Sequence, residues 1–165
     1  WVLKSPFHLG YGEALFATFP EARVIQTHRD PCETMPSIAS MAFSLWNLNR
    51  EGADPIRVGR QAFERWAGAV AGFAKFRDTM PADRFFDCDF RAVGRDPIGE
   101  IAKIYSWLDL PFGSKARARM KRWLSDNDRG KRAPHEYSLE TFGLTRKEIE
   151  TEFADYTARY SLAHS

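Results

Sequence analysis

The sequence predicts an α/β fold in which helices flank a parallel sheet. Short apolar segments typical of strands, at 1–4, 23–27 and 84–90, alternate along the chain with segments of helical period. Such alternation is typical of βαβ units, whose strands run parallel. With 165 residues and 44% hydrophobic content, the chain has the size of one domain with its own core. We therefore expect residues 1–165 to form a single domain.

Proline positions set the boundaries of the first two predicted helices. One helix is predicted over 9–19, and Pro20 would end it. A second is predicted over 31–49, because Pro31 suits the first helical position. Pro36 lies inside this second segment and predicts a late start or a kink.

The second half of the chain carries further amphipathic segments. Helices are predicted over 56–79, 97–108, 114–125 and 145–160. Thr145 followed three residues later by Glu148 matches a capping box at the start of the last one. The long segment has an apolar side that we interpret as core, formed by Phe63, Trp66, Val70, Phe73 and Phe76.

Charge and cysteine content restrict the possible partners. The formal net charge is only +2, so nucleic-acid or membrane binding would require a local basic patch. Cys32 and Cys88 are far apart and match no metal spacing, which favours a reducing compartment such as the cytoplasm. No apolar run is long enough to span a membrane, and no metal-binding motif is present in the sequence. The chain begins at Trp1 without an initiator Met, and we expect part of the fold to lie upstream.

Arg29 is the first candidate for a binding residue, because it follows the predicted strand 23–27. Asp30 and Pro31 open the next helix, and Ser37 lies eight positions after Arg29. Ligands of open α/β sheets bind at this end of the strands. A guanidinium and a hydroxyl that converge at a helix start suit a phosphate or sulfate. A surface arginine beside a helix cap is the alternative interpretation.

Lys4 and His8 are the candidates for chemistry. Lys4 ends the first predicted strand, and adjacent parallel strands would bring it to the sheet edge that carries Arg29. His8 follows in a short loop, where an imidazole can serve as a general base near neutral pH. A solvated strand end and a structural histidine are the alternatives for these two residues.

A basic stretch at 115–132 suggests nucleic-acid binding as a further hypothesis. Within it, residues 129–132 form a compact cationic segment with a glycine that allows close backbone approach. Trp123 is the only aromatic residue of the stretch, and Asp126 and Asp128 interrupt its charge. A solvated surface is therefore the alternative, and we expect no nucleic-acid partner.

Together these segments resemble the sulfotransferases that use 3′-phosphoadenosine 5′-phosphosulfate as sulfo donor, and the bacterial branch in particular. The resemblance spans nearly the whole chain and is carried by residues 1–8, 19–31 with Ser37, 89–97, 135–140 and 142–144. It implies a P-loop-NTPase-like α/β fold, of which this chain would be the carboxyl-terminal portion.

The resemblance implies a role for each candidate residue. Arg29 and Ser37 match the motif that binds the donor's 3′-phosphate, and Phe90 falls where the family often has a tyrosine near the adenine. Lys4 would face the sulfo group, and His8 would take the acceptor's proton as a substitute for the family's usual histidine. The loop residues that would close on the same phosphate are Arg129, Gly130 and Lys131.

The resemblance also implies products and partners. The complete enzyme would transfer a sulfo group, without a metal, to a hydroxyl or amine of a small-molecule, glycan or lipid acceptor and release adenosine 3′,5′-bisphosphate. The family's 5′-phosphosulfate loop would lie upstream of Trp1, so we expect little or no turnover from this chain by itself. A kinase-like nucleotide-dependent phosphotransferase is the alternative enzyme, and a nucleic-acid-binding module that uses 115–132 is the non-enzymatic alternative.

Overall fold

A computed structural model describes residues 1–49, 52–127 and 138–160. In chain order the elements are α1 (Gly12–Thr18), β1 (Val24–His28), α2 (Pro31–Asn49), α3 (Pro55–Asp78), β2 (Phe85–Asp89), α4 (Phe90–Arg95), α5 (Pro97–Trp107), α6 (Ser114–Asp126), α7 (Arg146–Glu152) and α8 (Ala154–Arg159). Two short 3-10 turns, Pro6–Gly10 and Glu140–Phe142, precede α1 and α7 respectively. The elements belong to two compact units, the first made of 1–22, 29–84 and 137–165 and the second of 23–28 and 85–136.

The first unit is helical, and α3 contacts most of its other elements. Asp54 caps the start of α3 by accepting a hydrogen bond from the Ile56 N–H at 3.0 Å. The predicted apolar side of α3 is confirmed as core, since Trp66 and Phe73 are buried. Trp66 belongs to a cluster whose other buried members are Cys32, Met35, Ala62, Ala67, Ile149 and Phe153.

A glycine lets α3 approach the Glu140–Phe142 turn. A Cβ added at Gly59 would lie 2.4 Å from the Phe142 carbonyl oxygen, so no other residue fits there without a shift. Gly143 follows with φ +62°, a left-handed conformation that ends the turn. Phe142 and Leu144 on either side of Gly143 are both buried, so this turn fastens the segment before α7 to α3.

The second unit contains the sheet. Strands β1 and β2 pair in parallel, with Val24 opposite Phe85 and His28 opposite Asp89. This confirms the predicted α/β class with parallel strands. Helix α5 packs on β2 through Phe86 and Trp107, whose ring centroids lie 5.5 Å apart.

Aspartate side chains cap the starts of two helices in the second unit. Asp89, the last residue of β2, accepts a hydrogen bond from the Arg91 N–H at 2.9 Å and so caps α4. Asp96 caps α5 by accepting from the Gly99 N–H at 2.9 Å. The predicted third strand, 84–90, is therefore too long at its end, because Phe90 already begins a helix that the sequence interpretation missed.

Three further expectations are wrong in detail. Residues 1–5 form no strand, and Trp1 is fully exposed. Helix α2 begins at Pro31 and continues through Pro36, so the late start is not observed, and the alternative, a kink at Pro36, stays a prediction. The predicted terminal helix over 145–160 is interrupted at Phe153, where φ −99° and ψ 15° leave the helical region. Its capping box is confirmed by reciprocal bonds between Thr145 and Glu148.

Candidate functional site

Arg29 lies immediately after β1, as the sequence predicted, and is held by an acidic side chain. Its Nε donates a hydrogen bond to Oε2 of Glu33 at 2.9 Å. Both side chains are a little over one third exposed, so the pair is accessible to a ligand. The guanidinium is a planar fork of five N–H donors, and a bond through Nε fixes the plane of that fork.

Ser37 lies on the same side of α2 as Glu33. The two residues are four positions apart in one helix, and such residues are neighbours on a helix surface. Because Glu33 also holds Arg29, the guanidinium lies against the face of α2 that carries Ser37. Arg29 thus contacts Glu33, and Ser37 stands one further turn along the same helix; their joint binding of a phosphate stays a prediction.

The start of α2 beside Arg29 is tightly defined by Asp30. This carboxylate is buried, and its Oδ1 accepts a hydrogen bond from the Cys32 N–H at 2.8 Å. The backbone carbonyl oxygen of Asp30 accepts a hydrogen bond from Oγ1 of Thr34 at 2.6 Å. Burial raises the pKa of the Cys32 thiol, and the nearby Asp30 carboxylate raises it further. Both effects disfavour the thiolate form that a nucleophilic cysteine needs.

His28, the last residue of β1, is a buried polar residue in the second unit. Its Nε2 lies 2.7 Å from Oδ1 of Asp87 in β2, and the residue is 2% exposed. Because β1 and β2 pair in parallel with His28 opposite Asp89, this bond joins the last residue of β1 to the middle of β2. The residue that precedes Arg29 is thereby fixed to the neighbouring strand.

His8 lies in the first 3-10 turn, and Lys4 lies just before it. Ser5 begins the turn by accepting a hydrogen bond from the Phe7 N–H at 3.3 Å. The Phe7 ring packs 5.6 Å from the Trp66 ring of α3, so the turn that carries His8 is anchored to a helix. His8 is half-buried, whereas Lys4 is exposed. Residues 1–5 form no strand, so the predicted first strand is wrong, and a place for Lys4 near Arg29 stays a prediction.

A groove of about 370 Å³ with both apolar and polar lining, Glu13 among it, lies next to the turn that carries His8. Its walls include Leu9, Tyr11, Phe73 and Phe76, and its lining contains several glycines. At Gly68 and Gly72 of α3 an added Cβ would meet nothing within 4 Å, so the packing of the described residues does not require these glycines. Pockets that bind small ligands typically have volumes of roughly 300 Å³ or more. The groove is therefore large enough for a small ligand.

The remaining predicted site residues belong to the second unit or fall outside the described residues. Phe90 is half-buried and is the first residue of α4 in the second unit. The predicted phosphate-closing residues Arg129, Gly130 and Lys131 lie outside the described residues, as does His135. Within the described ranges, no group of three His, Cys, Asp or Glu side chains is placed to hold a metal ion. None of the helices in these ranges combines the length and apolarity that a membrane crossing requires.

Sequence reasoning missed Glu33 and the His28–Asp87 pair. Glu33 could have been found, because it stands four positions after Arg29, a spacing at which opposite charges pair around a helix start. Asp87 could not, because it is 59 positions from His28 and only the strand register brings the two together.

Comparisons with known proteins point to one family. A model described as the sulfotransferase family matches residues 1–114. The solved structure of sulfotransferase STF9 from Mycobacterium avium is similar, with 32% identity and a TM-score of 0.88 over 99% of this chain and 42% of that one. Sulfotransferase STF1 from Mycobacterium tuberculosis H37Rv is also similar, with 32% identity and a TM-score of 0.75 over 94% of this chain and 39% of that one.

The name of a more distant relative states its substrate. The omega-hydroxy-beta-dihydromenaquinone-9 sulfotransferase Stf3 of Mycobacterium bovis is 21% identical over 168 residues, which cover 96% of this chain and 40% of that protein. The chain thus spans about two fifths of the relatives it matches. The family model covers well over half of the chain, and the same family was indicated by Arg29, Ser37 and their flanking segments. The chain belongs to the sulfotransferase family.

Proposed function

We propose that this chain binds the nucleotide part of 3′-phosphoadenosine 5′-phosphosulfate and contributes to sulfo transfer from that donor to a hydroxyl or amine. The observation that carries the proposal is Arg29, held by Glu33 against the face of α2 that bears Ser37. This arrangement occurs at the carboxyl end of β1, where α/β folds bind ligands. It also falls within the segment that the sulfotransferase family model matches.

The proposed nucleotide contacts follow from residue chemistry. Arg29 offers charge-assisted hydrogen bonds to the 3′-phosphate, and Ser37 offers a hydroxyl donor to the same group. Phe90 provides a ring face for the adenine, without the hydroxyl that a tyrosine would add. Arg129, Gly130 and Lys131 would add cations and a close backbone approach to the same phosphate.

The proposed chemical roles fall to Lys4 and His8. Transfer of a sulfo group resembles phosphoryl transfer, in which positioning and electrostatic stabilisation dominate and charge builds on the bridging oxygen. Lys4 would stabilise that charge with its ammonium group. His8 would accept the proton of the acceptor, from a turn that Phe7 anchors on Trp66.

The groove beside His8 suggests what the acceptor looks like. The Mycobacterium bovis relative is named for an omega-hydroxy menaquinone, which is a long apolar alcohol. We propose that the walls formed by Leu9, Tyr11, Phe73 and Phe76 take the apolar part of such an acceptor. Its hydroxyl would then lie near the turn that carries His8.

Titration with adenosine 3′,5′-bisphosphate tests the nucleotide site. Arg29→Gln removes a charged donor, so we expect its Kd for the bisphosphate to rise about 10- to 100-fold in isothermal titration calorimetry. The Kd for adenosine 5′-phosphate, which lacks the 3′-phosphate, should change far less. Arg57→Gln, which removes an exposed cation of α3, is the matched control. An unchanged bisphosphate Kd in Arg29→Gln would reject the assignment.

The family match does not favour the two alternative functions. A kinase-like phosphotransferase would bind ATP more tightly than the bisphosphate, and a nucleic-acid module would bind duplex DNA with strong salt dependence. Both ligands can be titrated in the same experiment as the bisphosphate.

A further inference from the structure

Helix α6 presents an unusually dense set of cations. Its first twelve residues contain no carboxylate. The cations, all of them exposed, are Lys115, Arg117, Arg119, Lys121 and Arg122. Lys115, Arg119 and Arg122 are spaced i, i+4 and i+7 and therefore share one side of the helix, which we call the basic face.

The cations of α6 lack the acidic partners that some other cations of the chain have. Arg29 and Arg159, for example, each bond a carboxylate within 3 Å. Across the described ranges, no carboxylate lies within ion-pair distance of an α6 cation, and Arg117 instead lies over the Phe112 ring at 4.2 Å. The positive charge of α6 is therefore not neutralised by the described parts of the chain.

A large exposed aromatic side chain adjoins the basic face. Trp123 is 62% exposed and follows Arg119 by one helical turn. Its backbone carbonyl accepts hydrogen bonds from Asn127, so the backbone around it is ordered. An indole beside unpaired cations on an amphipathic helix combines an apolar anchor with positive charge.

We propose that the basic face of α6 and Trp123 dock this protein on an anionic lipid bilayer. Basic side chains near an anionic surface are attracted to it, and tryptophan prefers the boundary between headgroups and acyl chains. A nucleic acid fits less well, because binding to single strands uses several stacked aromatic residues and Trp123 is alone in α6. The proposal does not depend on the nucleotide site, since no residue of α6 belongs to it.

Vesicle flotation tests the proposal with the whole chain. We expect partitioning onto phosphatidylcholine vesicles that contain phosphatidylglycerol, and little onto phosphatidylcholine alone. Arg119→Gln/Arg122→Gln should lower the partition coefficient about 25-fold, or about fivefold for each charge. Trp123→Ala should lower it several-fold, whereas Trp123→Phe should restore part of the loss.

Controls separate lipid binding from other effects. Arg57→Gln/Lys75→Gln removes two exposed cations of α3 and leaves the net charge equal to that of the α6 double variant, so it should bind vesicles normally. Unchanged helical circular dichroism would show that α6 remains folded in the variants. The proposal is overturned if the α6 double variant partitions like the parent chain, or if the parent chain does not bind anionic vesicles. Tighter binding to duplex DNA than to vesicles, lost in the same double variant, would instead identify a nucleic-acid surface. A loss of bisphosphate affinity with vesicle binding retained would assign the cations to the nucleotide.

Discussion

The helical unit and the sheet unit bury their side chains very differently. In the described ranges, the apolar residues buried below one tenth exposure all belong to the helical unit, except Phe85 and Cys88. Ile149 of α7 is 0% exposed, whereas Ile25 of β1 is 43% exposed. The helical unit therefore has a packed core, while the sheet unit relies more on its backbone ladder and on side-chain hydrogen bonds.

This difference suits the roles proposed for the two units. Arg29 and Ser37 belong to the helical unit, where the buried Asp30 and Met35 keep the start of α2 in place. A phosphate site gains from such support, because misplaced donors bind weakly. The cations of α6 belong to the sheet unit, and attraction to a bilayer needs density of charge more than exact placement.

The largest expected effect comes from deleting core volume in the helical unit. Ile149→Ala should lower the free energy of unfolding by about 2–5 kcal/mol, because it leaves a cavity among Cys32, Met35 and Trp66. Ile25→Ala in β1 is the matched control and should cost less than about 1 kcal/mol. Urea denaturation followed by circular dichroism measures both. Equal losses would show that the two units are packed alike.

The hydrogen bond between His28 and Asp87 should contribute an intermediate amount to the sheet unit. A double-mutant cycle of His28→Ala and Asp87→Ala should give a coupling energy of about 1 kcal/mol, since the imidazole is buried. Arg23 and Asp109 provide the control cycle in the same unit. Their atoms are 3.9 Å apart, Asp109 is almost fully exposed, and the expected coupling is near zero. Equal coupling energies in the two cycles would show that burial of His28 does not strengthen its hydrogen bond to Asp87.

The smallest effect concerns an exposed carboxylate of the helical unit. The hydrogen bond from Arg60, followed by that from Thr145, lowers the pKa of Glu148 below its ordinary value of 4.5. Its stabilising contribution is therefore fully present above pH 4.5 and is lost as the pH falls through the lowered, folded-state pKa. The difference in unfolding free energy between the parent chain and Glu148→Gln should shrink as the pH falls from 7 to about 3.

Glu152→Gln, an exposed carboxylate of the same helix, is the control for this titration. The unfolding free energy of Glu152→Gln should differ little from that of the parent chain throughout the same pH range. A pH-independent difference for Glu148→Gln would contradict the role of the Arg60 hydrogen bond.

Local signals predicted much of the fold. Pro31 marks a helix start by its own chemistry, and α2 begins there, whereas the predicted start of α3 at residue 56 falls one residue after the observed Pro55. Residues 1–4 have the composition of a strand, but a strand also needs a neighbour to receive its hydrogen bonds, and the sequence does not show one. Phe90 was assigned to a strand because the capping role of Asp89 depends on where β2 ends.

The candidate site was predictable where it is local in sequence. The spacing of Arg29 and Ser37 follows from a strand end and a helix face, which short-range patterns reveal. The groove beside His8 needed the structure, because residues 9–14 and 68–76 meet only through tertiary packing.

The helical unit is discontinuous along the chain, and this affects how it can fold. Trp66 and Met35 share their cluster with Ile149 and Phe153, so contacts of the core span more than 80 positions of sequence. During synthesis, α2 and α3 leave the ribosome well before α7, and until then they lack the side chains that complete the cluster. Contacts between such distant positions form slowly, because the intervening chain must first be closed into a loop. We therefore expect the nascent helical unit to expose an incomplete apolar surface until α7 emerges, a period in which a chaperone would find its binding site.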